Sequence, residues 1–158
     1  MAAVLFVCLG NICRSPLAEA ALRAAAEARG VAVAVDSAGT GDWHVGAPPD
    51  ARAQAVARAQ AVARAQGLDI SVLRARQVAA ADFVRFTHVV AMDGANLRAL
   101  RRMRPEGGAA LSLLLDHVPG RAGEAVADPY WGGPEAFERT WAEVAAGAEG
   151  ILEMLARE

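Results

Sequence analysis

The chain alternates between short, continuous apolar runs and longer segments in which apolar residues recur every three or four positions. Val4–Cys8 is an apolar run with the length of a buried parallel strand. Val31–Asp36, His88–Ala91 and Leu111–Leu115 predict further strands. The runs are short and well separated, so we expect other secondary structure between consecutive strands.

Segments with helical periodicity separate these runs. Ser15 suits the N-cap of the first helix and Pro16 its first position; the pattern continues from Leu17 to Arg29, and Gly30 ends it. Further helices are predicted from Asp50 to Gln66 with Gly67 as the stop, at Phe83–Arg85, from Asp93 to about Arg104, and from Pro134 to the end of the chain.

Strands that alternate with helices predict an α/β fold. Right-handed crossovers make the strands parallel and place helices on both faces of the sheet. We therefore expect a four-stranded parallel sheet in a doubly wound, flavodoxin-like three-layer sandwich, with loops at Ser37–Pro49 and Gly120–Gly133. The 158 residues are enough for one full hydrophobic core, and we expect a single domain over residues 1–158.

The predicted second helix contains a tandem duplication. Ala55–Gln60 and Ala61–Gln66 are the same six residues, Ala-Val-Ala-Arg-Ala-Gln. Alanine favours helix and buries little area, so such a helix tolerates extra residues. We interpret the duplication as neutral in a surface helix; a new contact surface, such as a dimer interface, is the alternative.

Charge and the N-terminal sequence argue against nucleic-acid binding and against membrane insertion. The formal net charge is -2 and the arginines are interspersed with acids, whereas nucleic-acid binding needs a basic stripe, so no nucleic-acid partner is expected. The apolar start, Met1–Leu9, is too short to span a bilayer and lacks the basic region of a secretory signal. We expect a cytoplasmic protein without membrane insertion.

Cysteine and histidine spacing indicates neither a disulfide framework nor a metal site. Cys8 and Cys13 lie five positions apart, and His44, His88 and His117 are scattered. Disulfide frameworks use more cysteines at wider spacings, and metal sites use other spacings with histidine partners. We expect no metal and no cofactor.

The segment Cys8–Ser15 carries the strongest chemical signal. It joins a predicted strand to a helix N-terminus, a geometry that directs successive N–H groups into a concave nest for a dianionic phosphate. Cys8 would lie at its base, where the amides, the helix dipole and Arg14 favour thiolate over thiol. Arg14 can hold two phosphate oxygens bidentately. Together these residues indicate in-line phosphoryl transfer to a sulfur nucleophile.

Each of these residues also has a purely structural interpretation. Cys8 alone would be a small core hydrophobe, and Asp128 before proline would be an ordinary turn residue. The glycine, Asn11 and Arg14 around Cys8 favour the chemical interpretation of Cys8. Cys13 alone would be core, but it can form a reversible disulfide with a reactive Cys8 under peroxide.

The whole pattern resembles the low-molecular-weight protein tyrosine phosphatase family. Its signature is similar to Cys-Leu-Gly-Asn-Ile-Cys-Arg-Ser-Pro at the N-terminus, and further blocks follow in the same order at Asp36–Thr40, Trp43–Gly46, Arg76–Val78, Ala91–Asp93 and Asp128–Tyr130. The resemblance covers nearly the whole chain. It implies metal-independent hydrolysis of phosphotyrosine, in a phosphoprotein or a small aryl phosphate, through a cysteinyl-phosphate intermediate.

The resemblance also implies individual roles. Cys8 would attack phosphorus, Arg14 would bind the phosphoryl oxygens, and Asp128 would protonate the leaving phenolate and later activate water. Ser15 would hydrogen-bond the thiolate, and Asn11 would hold the loop in a strained conformation. The phosphate-binding loop would also include Gly10 and Cys13; the cleft would be walled by Leu9, Ile12, Trp43, Tyr130 and Trp131; Ser37 and Asp93 would support the site.

Two positions depart from the family pattern besides the longer second helix. Leu73 stands where some members place a histidine that orders the phosphate loop, so loop rigidity is expected to depend more on Asn11 and Ser37. Tyr130-Trp131 stands where many relatives have two tyrosines, which removes one possible phosphorylation site.

Three other functions are compatible with a loop of this type. Thioredoxin-coupled arsenate reductases need two further cysteines downstream, and none follows Cys13. Protein-arginine phosphatases typically carry threonine where Ile12 stands, and an apolar side chain favours a phenyl ring over a guanidinium. A non-catalytic phosphate-binding module would usually have lost Cys8 or Asp128. Phosphotyrosine is therefore predicted, and family analogy suggests an autophosphorylating tyrosine kinase as one substrate.

Overall fold

Four parallel strands form one sheet in the order β2-β1-β3-β4 in the computed structural model, which describes residues 1–63 and 69–158. The strands are β1 (Ala3–Cys8), β2 (Ala34–Gly39), β3 (His88–Ala91) and β4 (Ala110–Leu113), and the helices are α1 (Arg14–Arg29), α2 (Ala51–Ala63), α3 (Asp82–Arg85), α4 (Gly94–Met103) and α5 (Pro134–Ala156). The predicted doubly wound α/β fold is confirmed.

Alternate residues of β1 enter two separate hydrophobic cores. Val4 and Phe6 pack into the core shared with α1, α2 and α5, whereas Leu5 and Val7 pack into the core shared with α3 and α4. This follows from the two-residue period of a strand that is buried on both faces. All four side chains are fully buried, so β1 contributes to the hydrophobic cores on both faces of the sheet.

The chain reverses its winding direction between β1 and β3. The segment after β1 leads to α1 on one face, and the segment after β3 leads to α4 on the other. Connections that diverge in this way leave a crevice at the carboxyl ends of the two strands, where α/β proteins commonly bind ligands. Cys8 ends β1, directly at this crevice.

The first helix begins earlier than the sequence predicted. Cys13 is its N-cap and Arg14 its first residue, so the prediction of Ser15 as N-cap and Pro16 as first residue was wrong. The Ser15 hydroxyl is engaged with Cys8 and Asn11 instead of capping the helix. Pro16 is still tolerated in the first turn, where N–H groups lack partners within the helix.

The second strand begins and ends three residues later than its predicted span, Val31–Asp36. Val31 N donates to Ala26 O at 2.9 Å, a helix-ending hydrogen bond made possible by the left-handed Gly30, so Val31 still belongs to the end of α1. The strand continues through Gly39, which pairs with Cys8. The predicted loop from Ser37 therefore begins only after Gly39.

The fourth strand ends earlier than the sequence predicts. The predicted strand Leu111–Leu115 is wrong at its end, because a turn of 3-10 helix, Leu114–His117, follows β4; the Asp116 carboxylate accepts from Leu113 N at 2.9 Å and stabilises this turn. The predicted end of the second helix at Gln66 and Gly67, and the second half of the second repeat, residues 64–66, lie outside the described residues. Among the residues that are described, no helix is long and apolar enough to cross a membrane.

Candidate active site

Polar contacts converge on the sulfur of Cys8. Ser15 Oγ lies 3.0 Å from Cys8 Sγ, and Asn11 N donates to the same sulfur at 3.2 Å. The sulfur lies where β1 turns into α1, so it is close to the positive end of the helix dipole. Cys8 is only 3% exposed, yet it lines the floor of the cleft described below. The surroundings are those of a sulfur that hydrogen-bond donors can stabilise as an anion.

Asn11 holds the turn between Cys8 and α1. Its φ of 58° is left-handed, a conformation that asparagine tolerates better than most residues. Its side-chain amide donates to Ser15 Oγ at 2.8 Å and to Ser37 Oγ at 3.0 Å, and its Oδ1 accepts from Arg76 N at 3.0 Å. Three segments of the chain thus hold one side chain, and these contacts stabilise the strained backbone conformation of Asn11.

A buried carboxylate extends this network. Ser37 Oγ donates to Glu19 Oε1 at 2.8 Å, and the Arg23 guanidinium contacts Glu19 Oε2 at 2.9 and 3.1 Å. Burial raises the pKa of Glu19, and the hydrogen bonds from Ser37 and Arg23 oppose that shift. Glu19 had no predicted role, because a glutamate in a helix is ordinarily a solvent-facing residue.

Arg14 is fixed by partners on two other segments. Its Nη1 donates to Asp93 Oδ2 at 2.8 Å and to Val126 O at 2.9 Å, and its Nη2 lies 3.6 Å from Asp128 Oδ2. Asp93 also accepts from Asn96 N at 2.8 Å and so caps α4. Asp93, predicted to start this helix and to support the site, therefore contacts both the helix N-terminus and Arg14.

These groups border a cleft of about 430 Å³. It is lined by Cys8, Leu9, Gly10, Ile12, Cys13, Arg14, Trp43, His44, Asp128, Tyr130 and Trp131. Trp43 is 70% exposed and Trp131 is 90% exposed, so the mouth presents aromatic rings to solvent. The structure therefore brings the predicted catalytic and cleft-lining residues together, and Asn11, Ser15, Ser37 and Asp93 lie behind them.

The Asp128 loop, residues 126–132, forms one side of the cleft. Asp128 Oδ1 accepts from Tyr130 N at 3.1 Å, and the Tyr130 and Trp131 rings form an edge-to-face pair with centroids 4.9 Å apart. Arg52 of α2 donates to Gly132 O at 3.0 Å. Sequence reasoning assigned no role to Arg52, and also none to His44 of the lining.

Cys13 differs from Cys8 in its surroundings. Burial raises the pKa of the Cys13 thiol, and the charges of Asp50 and Cys8 add to the shift. Cys13 therefore remains a thiol, and both cysteines are free. Within residues 1–63 and 69–158 no group of three metal-ligating side chains is present, and the expectation of a metal-independent site stays a prediction.

Comparison with known proteins agrees with this geometry. A family model described as low molecular weight phosphotyrosine protein phosphatase matches residues 3–158. A low molecular weight protein-tyrosine-phosphatase from Streptomyces coelicolor is 44% identical over 155 residues, which span 94% of this chain and 90% of that protein.

Solved structures agree as well. The crystal structure of YfkJ from Bacillus subtilis superimposes with a TM-score of 0.84 at 37% identity, over 99% of this chain and 96% of that one. A Drosophila arginine phosphatase gives a TM-score of 0.86 at 32% identity, over 96% of each chain. The family model and these likenesses extend over nearly the whole length, including the Asp128 loop and the Cys8 loop, which is the segment Cys8–Ser15. The chain therefore belongs to the low molecular weight phosphotyrosine protein phosphatase family.

Proposed function

We propose that this protein hydrolyses phosphotyrosine, in phosphoproteins and in small aryl phosphates, through a phosphocysteine on Cys8. The observation that carries the proposal is the convergence of Ser15 Oγ and Asn11 N on the Cys8 sulfur at the floor of an aromatic-lined cleft. These contacts stabilise a sulfur anion, which is the nucleophilic form of cysteine.

The first step forms the covalent intermediate. Cys8 Sγ attacks phosphorus while the phosphorus–oxygen bond to the phenol breaks, and Asp128 gives its proton to the departing oxygen. Arg14 binds the equatorial oxygens, with the helix N-terminus supplying N–H groups. The 3.6 Å separation of Asp128 from Arg14 is too long for a hydrogen bond, which leaves the carboxyl group available to the leaving oxygen.

The second step regenerates the enzyme. Asp128, now a carboxylate, takes a proton from water as the water oxygen attacks phosphorus, and the sulfur–phosphorus bond breaks. Ser15 stabilises the departing thiolate through the same 3.0 Å contact. Asn11 and Ser37 keep the loop in shape, and Asp93 keeps Arg14 aimed at the cleft.

The cleft supports an aromatic substrate. Leu9, Ile12, Trp43 and Tyr130 surround its floor with apolar and aromatic surface, against which a phenyl ring can pack. The likeness to a Drosophila arginine phosphatase makes phosphoarginine the second candidate, but a guanidinium would need polar partners that Ile12 does not supply. Phosphoprotein substrates follow from this proposal, with an autophosphorylating tyrosine kinase as one family-based example.

Two measurements test the proposal. Hydrolysis of phosphotyrosine and phosphoarginine is compared at equal concentration, and faster turnover of phosphoarginine would reverse the substrate assignment. Rapid-quench kinetics with an aryl phosphate should show a burst of phenol followed by slower turnover. Tight phosphate binding without burst or turnover would identify a non-catalytic binding module instead. We also propose a single domain over residues 1–158. We propose a cytoplasmic location, because a reducing compartment keeps a catalytic thiol free of disulfides.

A further inference from the structure

Arg52 connects three parts of the molecule through one guanidinium. Its Nε and Nη2 donate to the two carboxylate oxygens of Asp50, each at 3.0 Å, and its Nη1 donates to Gly132 O at 3.0 Å. Its Cζ also lies 5.6 Å from the Tyr130 ring centroid and 4.6 Å from that of Phe137. This fork and the two rings fix the guanidinium in orientation as well as position.

Asp50 joins the same guanidinium to the Cys8 loop. The backbone N of Asp50 donates to Ile12 O at 2.8 Å, and its Oδ1 accepts from Arg52 N at 2.9 Å and so caps α2. A continuous set of hydrogen bonds therefore leads from Ile12 through Asp50 and Arg52 to Gly132.

Gly132 belongs to the turn that carries the Asp128 carboxylate. Gly132 N donates to Pro129 O at 2.8 Å, and Tyr130 N donates to Asp128 Oδ1 at 3.1 Å. The carboxylate itself is weakly restrained, because the Asp128 side chain is 41% exposed and 3.6 Å from Arg14. Its position relative to Cys8 must therefore be set largely by the loop.

We propose that Arg52 is a positioning residue that holds the Asp128 loop, and with it the general acid, at a fixed distance from the Cys8 loop. The inference rests on the proposed function, because it assigns Arg52 an effect on the proton that Asp128 donates. Arg52 is not one of the residues that line the cleft; it acts through Gly132 and Tyr130.

The positioning role predicts a specific kinetic signature. A displaced acid costs rate only where the leaving group needs the proton, so poor leaving groups suffer more than activated ones. For Arg52→Gln we expect kcat/KM to fall roughly tenfold with phenyl phosphate and less than threefold with p-nitrophenyl phosphate. Arg52→Lys keeps the charge but cannot form the planar fork, and its effect should lie between those of wild type and Arg52→Gln.

The experiment measures kcat/KM for a series of aryl phosphates of increasing leaving-group pKa, because kcat/KM reports the steps up to loss of the phenol. The set comprises wild type, Arg52→Gln, Arg52→Lys, Asp128→Ala and the double variant Arg52→Gln/Asp128→Ala. Arg29→Gln is the matched control, since Arg29 also pairs with a carboxylate, that of Glu149, but lies at the opposite end of α1 from the Cys8 loop.

The outcomes separate the inference from the function on which it rests. A steeper dependence on leaving-group pKa in Arg52→Gln, absent from Arg29→Gln and not increased further in the double variant, supports positioning of Asp128. An equal loss on all substrates, or a full additional loss in the double variant, overturns it. If wild type shows neither a phenol burst nor turnover of any aryl phosphate, the proposed function itself fails, whatever the Arg52 variants do. Should Arg52→Gln not fold, the same comparison is made with Arg52→Lys.

Discussion

Asp93 accepts a hydrogen bond from Arg14 at 2.8 Å through one carboxylate oxygen, and its other oxygen caps α4. The Arg14 side chain is only 3% exposed, so its orientation depends on this partner and on Val126 O. A residue that looks like an ordinary helix cap therefore also aims the guanidinium into the cleft.

Replacing Asp93 by asparagine should impair phosphate binding and leave stability largely unchanged. In Asp93→Asn, the amide can still cap α4, because asparagine is a good N-cap, but the ion pair with Arg14 is lost. We expect the inhibition constant of inorganic phosphate to rise and kcat/KM to fall, each by roughly 10- to 100-fold, with little change in thermal stability. Unchanged phosphate inhibition in a folded Asp93→Asn protein would show that Arg14 does not need this partner.

Cys8→Ser should abolish turnover and leave phosphate binding largely intact. The hydroxyl is a far poorer nucleophile than a thiolate, whereas Arg14 and the loop N–H groups are unaffected. Calorimetric titration with inorganic phosphate, beside an activity assay, checks both parts. Residual turnover near the wild-type rate would mean that the nucleophile lies elsewhere.

Asp128→Ala should slow poor leaving groups far more than activated aryl ones. The general acid matters only where the departing oxygen needs a proton, and such groups typically contribute 10²- to 10⁴-fold. The check is a plot of log kcat/KM against leaving-group pKa for wild type and variant. Parallel lines, with the same loss on every substrate, would contradict the acid role.

Glu19 should make stability depend on pH. Burial raises its pKa above the ordinary value of 4.5, so the folded state binds this proton more tightly than the unfolded state does. That contribution is complete below about pH 4.5 and is lost as pH rises through the folded-state pKa. Glu19→Gln removes this titration. The free energy of unfolding of the variant should therefore increase relative to that of wild type as pH rises from 4.

The matched control for this prediction is Glu27→Gln, an exposed glutamate on the same helix. It removes one carboxyl group from α1 without touching the buried contacts of Glu19, so it corrects for the general loss of a charge. Urea unfolding at intervals of half a pH unit measures all three proteins. A constant difference between Glu19→Gln and wild type would show that Glu19 does not titrate differently in the two states.

Gly150→Ala should destabilise the protein although alanine favours helix. A Cβ at Gly150 would lie 1.8 Å from His117 O, so α5 or the 3-10 turn at Leu114–His117 would have to move. We expect a loss of roughly 1–3 kcal/mol in the free energy of unfolding. Ala146→Gly on the exposed side of α5 provides a reference of about 1 kcal/mol for helix propensity alone. A stabilised Gly150→Ala protein would refute the close packing.

The sequence predicted elements best where hydrophobic pattern and local signals coincide. His88–Ala91 is observed as a strand with the predicted bounds, and Asp93 caps the next helix, because an apolar run and a cap residue mark these positions. The second strand was misplaced because its last residues, Ser37 to Gly39, are poor strand formers that pair only through their place beside β1. Context within the sheet outweighed propensity there.

The candidate site likewise contains residues that the sequence predicted and residues that it did not. Cys8 and Arg14 belong to one contiguous motif, so their proximity follows from local chain geometry. Glu19 and Arg52 could not be chosen from the sequence, because glutamates and arginines recur along the helices and only the fold decides which of them meet Ser37 and Gly132. Long-range contacts of this kind are invisible to periodicity.

The position of the duplicated segment has a consequence for how this chain can diversify. The residues that connect α2 to the site, Asp50 and Arg52, precede the first repeat at Ala55, and Arg76 N, beyond the second repeat, donates to Asn11 Oδ1 in the Cys8 loop. Added length falls between two tethered points and leaves both tethers intact. Evolution can therefore lengthen this part of the protein, and remodel what it presents to other molecules, without retuning the chemistry.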